Sequence, residues 1–260
     1  MNKKRPVSLK DLAKELGVSV STVSRALKNS PEIGEEMKKR VKMLAKQKNY
    51  RPNPFAISLL KNAPHIIGII VPDIVTHYYS SIISGINDVA RKNGYSVIIT
   101  SSYEKYKLEI QCLEDLVNIR VEGIIVCLSQ ETRDYSHFEM LYEQTIPLVF
   151  FDRVCLTDRF SSVVTDNVDS ALKATIHFLE TGSKRVGFIG GSNHLDIVKQ
   201  RKHGYLQALR DNKIPIEKEL VYCEKIGYET GYKAAKALLS LPNPPDAILG
   251  MTDSLAFGAM

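Results

Sequence analysis

The sequence predicts an N-terminal all-α helix-turn-helix domain followed by a larger α/β core with two lobes, each built on a parallel sheet. Three observations lead to this fold class. Two short amphipathic helical patterns flank a glycine near the start of the chain, positive charge is concentrated in the first 61 residues, and short apolar runs alternate with helical patterns beyond residue 62. The regions we predict are a helical domain over 1–50, a linker with a short helix over 51–62, and a core over 63–260.

The first helical pattern begins at Ser8. Asp11 follows three residues later, so the two side chains are spaced to cap a helix reciprocally. Leu9, Leu12, Ala13 and Leu16 then recur at helical spacing, and Gly17 ends the pattern.

The second helical pattern begins after Ser19, which is spaced to act as an N-cap. An apolar stripe is predicted at Val20, Val23, Ala26 and Leu27, and an outward polar face at Ser21, Thr22, Ser24 and Arg25. In a helix-turn-helix the second helix enters the major groove of DNA. There, hydroxyl groups form hydrogen bonds with phosphates or bases, and an arginine can form a bidentate hydrogen bond with guanine. An ordinary helical hairpin is the alternative for this segment.

The charge distribution favours the DNA-binding interpretation. Residues 1–61 contain 15 lysines and arginines against 5 acidic residues, a net charge of +10, whereas residues 62–260 carry a net charge of −4. A basic module joined to a mildly acidic body suits a chain of which one end neutralises phosphates.

A third helix is predicted over 33–48, with Met37, Val41, Leu44 and Ala45 covering the first two helices and the lysines mostly on the opposite face. Prolines then break the chain, and Asn53 with Pro54 is predicted to open a short helix over 55–61. Because so short a helix is marginal alone, we expect it to form when a partner holds it.

Beyond residue 62, the apolar runs HIIGIIVPD, YSVIITSS, EGIIVCLS, IPLVFFD, KRVGFIGGS and DAILGMTD read as buried parallel strands. Helical patterns are expected around 79–93, 107–118, 136–143, 169–181, 198–212 and 228–241. Segment 151–165 is the expected crossing between the lobes.

Ligands of open parallel sheets bind beyond the carboxyl ends of the strands, so the polar residues after each run are candidates for one cleft. Acidic, arginine and serine side chains beside tyrosines suit a polyhydroxylated ligand, although capping and turn formation explain such residues equally well. The candidates are Pro72, Asp73, Tyr78, Tyr79, Ser101, Ser102, Ser129, Asp152, Arg153, Gly190, Gly191, Ser192, Thr252 and Asp253.

The segments SLKDLAKELGVSVSTVSRALKNS and NYRPNPFAISLL resemble the DNA-binding domain and hinge of the lactose-repressor (LacI/GalR) family of bacterial transcription regulators. The resemblance implies that Val20, Ser21 and Arg25 read bases and that Thr22 and Ser24 contact phosphates. It also places Asn53 and Ala56 in a hinge helix and makes Leu59 a wedge between base steps. Lys28 replaces the usual asparagine but can still hold a phosphate.

The body resembles the effector-binding core of the same family, which is similar to periplasmic sugar-binding proteins. This resemblance implies a periplasmic-binding-protein-like fold in which Asp152, Arg201 and Asp253 contact a small-molecule effector, and in which Tyr78 and Tyr79 occupy a site often filled by aromatics. Since the family's chains continue beyond the segment corresponding to Met260, we expect the second lobe to be incomplete.

Other classes of function have little support in the sequence. GFIGGS lacks the spacing of a dinucleotide-binding loop, the six histidines have no metal-ligand spacing, and no nucleophile elbow is present. The four cysteines lack a C-x-x-C motif, and neither a signal peptide nor a membrane-spanning run is found, which favours reduced thiols in a cytoplasmic protein. We therefore expect no enzymatic step, no metal and no cofactor.

The resulting hypothesis is a ligand-responsive regulator, a repressor of carbohydrate metabolism genes. It would act as a homodimer on a double-stranded DNA operator. We expect no interaction with a membrane. The alternative is a soluble sugar-binding or sugar-processing protein whose N-terminus is a basic helical cap.

Overall fold

The computed structural model of the chain describes residues 7–50 and 64–260. Contacts within the chain divide it into two compact units, with the boundary after Pro64. The predictions for Asn53, Ala56 and Leu59 lie outside the described residues.

Among the described residues of the first unit, α1 (Leu9–Leu16) and α2 (Val20–Leu27) begin directly after the predicted caps Ser8 and Ser19. The third helix, α3 (Glu35–Gln47), lies within the predicted span 33–48 and begins after Gly34, which offers no side-chain cap. Ser8 donates its backbone N–H to Asp11 Oδ2 at 2.9 Å, and Asp11 N–H donates back to Ser8 Oγ at 3.3 Å. Gly17 ends α1 at a φ of 66°, a left-handed conformation that costs glycine little. The capping pattern therefore fixes the turn between α1 and α2.

The core of this unit is made by α1, α2 and α3 together. Its fully buried side chains are Leu12, Val23, Ala26 and Val41. Two side chains depart from the predicted faces. Val20 does not join the core and is 40% exposed, because it lies in the first turn of α2. Lys38 is buried along its aliphatic stem and reaches out to Glu35 at 2.7 Å.

The second unit contains two parallel sheets. The first sheet has the strand order β2-β1-β3-β4-β5 and the second has the order β7-β6-β8. The strands are β1 (Ile66–Val71), β2 (Ser96–Ser101), β3 (Gly123–Val126), β4 (Leu148–Phe151), β5 (Ser161–Val163), β6 (Val186–Gly190), β7 (Val221–Cys223) and β8 (Ala247–Gly250).

Helices connect these strands and cover the sheets. They are α4 (His77–Lys92), α5 (Tyr106–Ile119), α6 (Ser136–Glu143), α7 (Asn167–Glu180), α8 (Asp196–Asp211), α9 (Tyr228–Leu239) and α10 (Asp253–Ala259), with a 3-10 turn at Lys218–Leu220. Each sheet has its own apolar core, centred on Phe138 and Phe150 in the first lobe and on Phe188 and Tyr205 in the second.

Two strands were not predicted. β5 lies inside the segment expected to be only a crossing, and all three of its residues are exposed. β7 is three residues long and half-buried. Both are parallel edge strands that pair on one side, with β4 and β6 respectively. β5 is mostly polar and β7 is only three residues long, so neither stands out as the longer apolar run that marks a buried parallel strand.

Candidate functional site

The outer face of α2 is the first candidate site. Ser21, Arg25 and Lys28 are exposed, while Thr22 and Ser24 are half-buried beside them. Ser19 Oγ accepts from Thr22 N–H at 3.1 Å, which fixes the first turn of the helix. A rigid helix with one buried apolar face and one exposed hydroxyl-rich face has the form needed to enter a major groove.

Arg25 forms an ion pair on this face. Its Nη1 lies 2.8 Å from Glu32 Oε2, and more than half of each side chain is exposed. An exposed pair of this kind contributes about 0–1 kcal/mol, so a phosphate or guanine can displace Glu32 at little cost.

The second candidate site is a cavity of about 780 Å³ between the two lobes. Its walls are the segments that follow β1, β2 and β4 in the first lobe and β7 and β8 in the second, together with one face of α8. The cavity therefore lies at the carboxyl ends of both sheets, where open parallel sheets bind ligands.

All five side chains predicted to contact an effector line this cavity: Tyr78, Tyr79, Asp152, Arg201 and Asp253. Tyr78 donates its hydroxyl to Asp152 Oδ1 at 2.9 Å. Burial, followed by the negative charge of Asp152, raises the pKa of the Tyr78 phenol above its ordinary value. The phenol therefore stays a hydrogen-bond donor at neutral pH and orients the carboxylate.

Tyr79 differs from its neighbour. It is only 7% exposed and packs with Ile69, Val71 and Phe151 in the core of the first lobe. Its ring shapes the wall of the cavity more than it offers a surface to a ligand.

Arg201 is positioned by the second lobe. Its Nε donates to Asn167 Oδ1 at 3.0 Å, and Nη1 donates to the carbonyl of Met251, immediately before the Thr252–Asp253 segment. Among the described residues, no ion pair involves Arg201. The guanidinium thus lies beside the cavity and is held in place by neutral acceptors.

Several strand-end residues that were candidates do not line the cavity. Ser102 Oγ donates to the Val71 carbonyl, and Ser192 Oγ donates to the Glu224 carbonyl at 3.3 Å. Ser129 is held by a side chain instead, since its N–H donates to the buried carboxylate of Glu109 at 2.6 Å. Ser101, Gly190 and Gly191 are also absent from the cavity wall. For these residues, capping and turn formation is the better explanation.

Sequence reasoning missed other parts of the wall, notably Tyr103, Glu104, Tyr228 and Phe257. Tyr103 and Glu104 both have left-handed backbones, with φ values of 48° and 60°. Two consecutive non-glycine residues in this region store strain that is typical of functional loops. Glu104 Oε2 accepts from buried Arg153 Nη1 at 2.7 Å, which anchors the loop. Tyr228 was missed because it follows β7, and the candidates were taken only from residues that follow predicted strands.

No group of three or more histidine, cysteine, aspartate or glutamate side chains in residues 7–50 and 64–260 is arranged to hold a metal ion. All four cysteines are free, and Cys127 and Cys155 are buried. No helix within the described ranges has the length and apolar character needed to span a bilayer.

A helix-turn-helix unit and a two-lobed core with an interlobe cavity together define a ligand-binding transcription regulator. Residues 8–53 match the family model described as bacterial regulatory proteins of the lacI family. Residues 64–260 match the model of periplasmic binding proteins and the sugar-binding domain of the LacI family. The chain belongs to the LacI family of bacterial transcription regulators, as the resemblance of its sequence indicated.

Curated relatives agree with this assignment. The HTH-type transcriptional regulator MalR of Streptococcus pneumoniae is 35% identical over 96% of this chain and 77% of its own length. The HTH-type transcriptional repressor CytR of Escherichia coli is 31% identical over 97% of this chain and 74% of its own. The fold is similar to that of the lac repressor dimer bound to operator and the anti-inducer ONPF, with a TM-score of 0.81 and 23% identity over 98% of this chain and 77% of that one.

Proposed function

We propose that this regulator is a repressor that binds a double-stranded DNA operator through α2. The observation that carries the proposal is the exposed polar face of α2, which the buried core of the first unit holds rigidly. On this face Val20, Ser21 and Arg25 would read bases, and Thr22, Ser24 and Lys28 would contact phosphates. The domain boundaries 1–50, 51–62 and 63–260 belong to the same proposal.

The repressor acts as a homodimer. One α2 covers one half-site of DNA, and two chains related by a two-fold axis cover a pseudo-palindromic operator. The lac repressor structure, described as a dimer bound to operator, supports this arrangement. Asn53, Ala56 and Leu59 belong to the proposed hinge on the strength of the sequence resemblance, with Leu59 as the minor-groove wedge.

The interlobe cavity binds a small-molecule effector, a sugar or sugar derivative. The hydroxyls of this effector form hydrogen bonds with Asp152, Arg201 and Asp253. Tyr78 orients the Asp152 carboxylate, and Tyr79 forms the wall behind these side chains. A ligand that contacts both lobes changes their relative orientation, which alters the binding of the dimer to DNA.

No catalytic step is needed for this function, because ligand and DNA each bind reversibly. A repressor of bacterial carbohydrate genes acts in the cytoplasm, where the chromosome is. The rival function, a sugar-binding or sugar-processing protein with a basic cap, requires no sequence-specific DNA binding.

Selection of bound duplexes from a random DNA pool tests the proposal. We expect enrichment of a pseudo-palindrome with one half-site per chain. The same selection repeated with a panel of sugars should show that at least one of them changes the recovery of that sequence. Recovery of random sequence only, in every condition, would favour the rival function.

A further inference from the structure

Exposed aromatic rings are concentrated in the interlobe cavity. Six tyrosine and phenylalanine side chains among the described residues are exposed: Tyr78, Tyr103, Tyr142, Tyr228, Tyr232 and Phe257. Four of these six line the cavity, namely Tyr78, Tyr103, Tyr228 and Phe257. Apolar rings that face an open cavity leave hydrophobic area unburied until a ligand covers them.

These four rings come from four different elements, two in each lobe. Tyr78 lies on α4, Tyr103 follows β2, Tyr228 begins α9, and Phe257 lies one turn along α10 from Asp253. A single sugar ring has two faces and can stack on two aromatic rings at most. Four separately placed rings therefore offer stacking surfaces to more than one sugar unit.

The width of the first lobe agrees with a ligand longer than one ring. β2 and β4 are three strand positions apart in the order β2-β1-β3-β4, which places their ends about 14 Å apart. Tyr103 follows the first of these strands and Asp152 follows the second, and both line the same cavity. A ligand that contacts both side chains therefore bridges two segments of the wall that β1 and β3 separate.

The charges on the wall disfavour an anion. Among the described residues that line the cavity, four carry carboxylates, Asp73, Glu104, Asp152 and Asp253, and two carry guanidinium groups, Arg153 and Arg201. Arg153 and Glu104 pair with each other at 2.7 Å, which leaves three carboxylates and one guanidinium. Phosphate or carboxylate groups on a ligand would face this net negative charge, whereas neutral hydroxyls can donate to the carboxylates and accept from Arg201.

We infer that the cavity takes a neutral oligosaccharide of at least two sugar rings, with one ring gripped near Arg201 and Asp253 and a further ring stacked on Tyr103. This inference rests on the proposed function of the cavity as an effector site. It adds the length and the charge of the ligand, and it assigns specificity for length to Tyr103.

Calorimetric titration of the purified chain tests the inference. The probes are maltose, cellobiose, lactose and melibiose, their components glucose and galactose, the charged derivatives glucose 6-phosphate and glucuronate, and adenosine as a nucleoside control without a hexose. At least one disaccharide should bind about tenfold more tightly than either of its component hexoses, which is the size expected for one added stacking contact. The charged derivatives should bind more weakly than glucose.

The variants Tyr103→Ala and Tyr142→Ala separate stacking from general effects on folding. Tyr103→Ala should weaken the disaccharide by about fivefold to tenfold and leave the affinity for the hexose nearly unchanged. Tyr142 is exposed but outside the cavity, so Tyr142→Ala should leave both affinities unchanged. An equal loss for hexose and disaccharide in Tyr103→Ala would overturn the role of Tyr103.

The inference is overturned if a hexose binds as tightly as every disaccharide, if a charged derivative or adenosine binds best, or if no probe binds. Operator binding measured on the same preparations keeps the two proposals apart. Selective DNA binding that responds to adenosine or to a sugar phosphate would retain the proposed regulator and reject the neutral oligosaccharide. Loss of selective DNA binding together with tight disaccharide binding would reject the regulator and retain the ligand.

Discussion

The Gln130 side chain forms hydrogen bonds with both backbone groups of Ile226 and thereby joins the two lobes. Ile226 N–H donates to Gln130 Oε1 at 2.8 Å, and Gln130 Nε2 donates to the Ile226 carbonyl at 3.4 Å. The backbone N–H of Gln130 donates to Glu104, the partner of Arg153. Three residues of the cavity wall are thus connected through Gln130, which is only 9% exposed.

Gln130→Met should loosen this junction between the lobes. Methionine keeps the volume of the side chain but makes neither bond with Ile226, and each lost hydrogen bond is worth about 0.5–1.5 kcal/mol. We expect amide hydrogen exchange at Ile226 to accelerate by about tenfold, since the amide loses its acceptor. Ligand affinity should fall as well, because the lobes are held together less firmly before binding.

Gln144→Met is the matched control, because Gln144 is exposed at the end of α6 in the same lobe. In Gln144→Met, the hydrogen-exchange rate of the Ile226 amide and the affinity for ligand should both equal those of the unmodified chain. Unchanged exchange at Ile226 in Gln130→Met would show that other contacts hold the lobes together.

Local sequence signals predicted the first unit well. The capping residues Ser8 and Ser19 and the left-handed Gly17 act within a few residues of themselves, so their effect is visible in the sequence. The buried strands of the core were predictable for a similar reason, since β1 and β6 are continuous apolar runs. What the sequence concealed was the pair of short edge strands, β5 and β7, whose pairing depends on distant neighbours.

The cavity was only partly predictable because its residues meet through the tertiary fold. The carboxyl ends of β4 and β8 pointed to Asp152 and Asp253, and both line the cavity. Ser102 and Ser129 follow strands in the same way but turn inward, which spacing cannot distinguish. Gln130 was not predicted at all, since its partner Ile226 is 96 residues away and is contacted through its backbone.

Arg25→Ala should relax the choice of one base pair in the operator. If Arg25 forms a bidentate hydrogen bond with a guanine, its loss should reduce the binding free energy by about 1–3 kcal/mol on the selected sequence and by little on random DNA. Lys28→Ala is the control for general electrostatics. It should weaken all sequences alike and reduce the dependence of affinity on salt. Fluorescence anisotropy with both DNAs measures these losses, and equal losses for Arg25→Ala on the two DNAs would contradict base reading.

Glu32→Gln should have the opposite effect to Arg25→Ala. Glu32 pairs with Arg25 at 2.8 Å and adds a negative charge beside the face proposed to meet phosphates. Once Glu32 has lost its charge, it no longer holds the Arg25 guanidinium in an ion pair and no longer repels the phosphates of DNA. Operator affinity should therefore rise by about threefold to tenfold at low salt. Glu36→Gln, on an exposed glutamate of α3 outside this ion pair, gives the size of the general charge effect. Equal gains in the two variants would mean that Arg25 is not restrained by Glu32.

Asp253→Asn should abolish most of the response to ligand without harming DNA binding. The amide keeps the size of the side chain but removes the charge that strengthens bonds to ligand hydroxyls, a loss of about 1.5–3 kcal/mol or roughly 10–100-fold in ligand affinity. Operator affinity without ligand should stay within about twofold, because coupling between separate sites requires the ligand. Titration of operator binding against the ligand measures both quantities. Asp211→Asn, on an exposed residue at the end of α8, should behave like the unmodified chain.

Gly204→Ala should destabilise the second lobe, because α7 and α8 approach each other closely at this position. An added methyl group on Gly204 would overlap the carbonyl oxygen of Val168, a backbone atom that moves only if the whole helix moves. Overpacking of this kind costs about 1–3 kcal/mol in the free energy of unfolding.

Gly85→Ala is the matched control, since Gly85 lies on the exposed side of α4 with nothing within 4 Å of the new methyl group. This second change should stabilise its helix by about 0.5–1 kcal/mol, because alanine loses less backbone entropy than glycine. Urea unfolding followed by circular dichroism measures both variants. A stability of Gly204→Ala equal to or above that of the unmodified chain would show that α7 and α8 can separate without cost, and the close approach would then have no role in holding the lobe together.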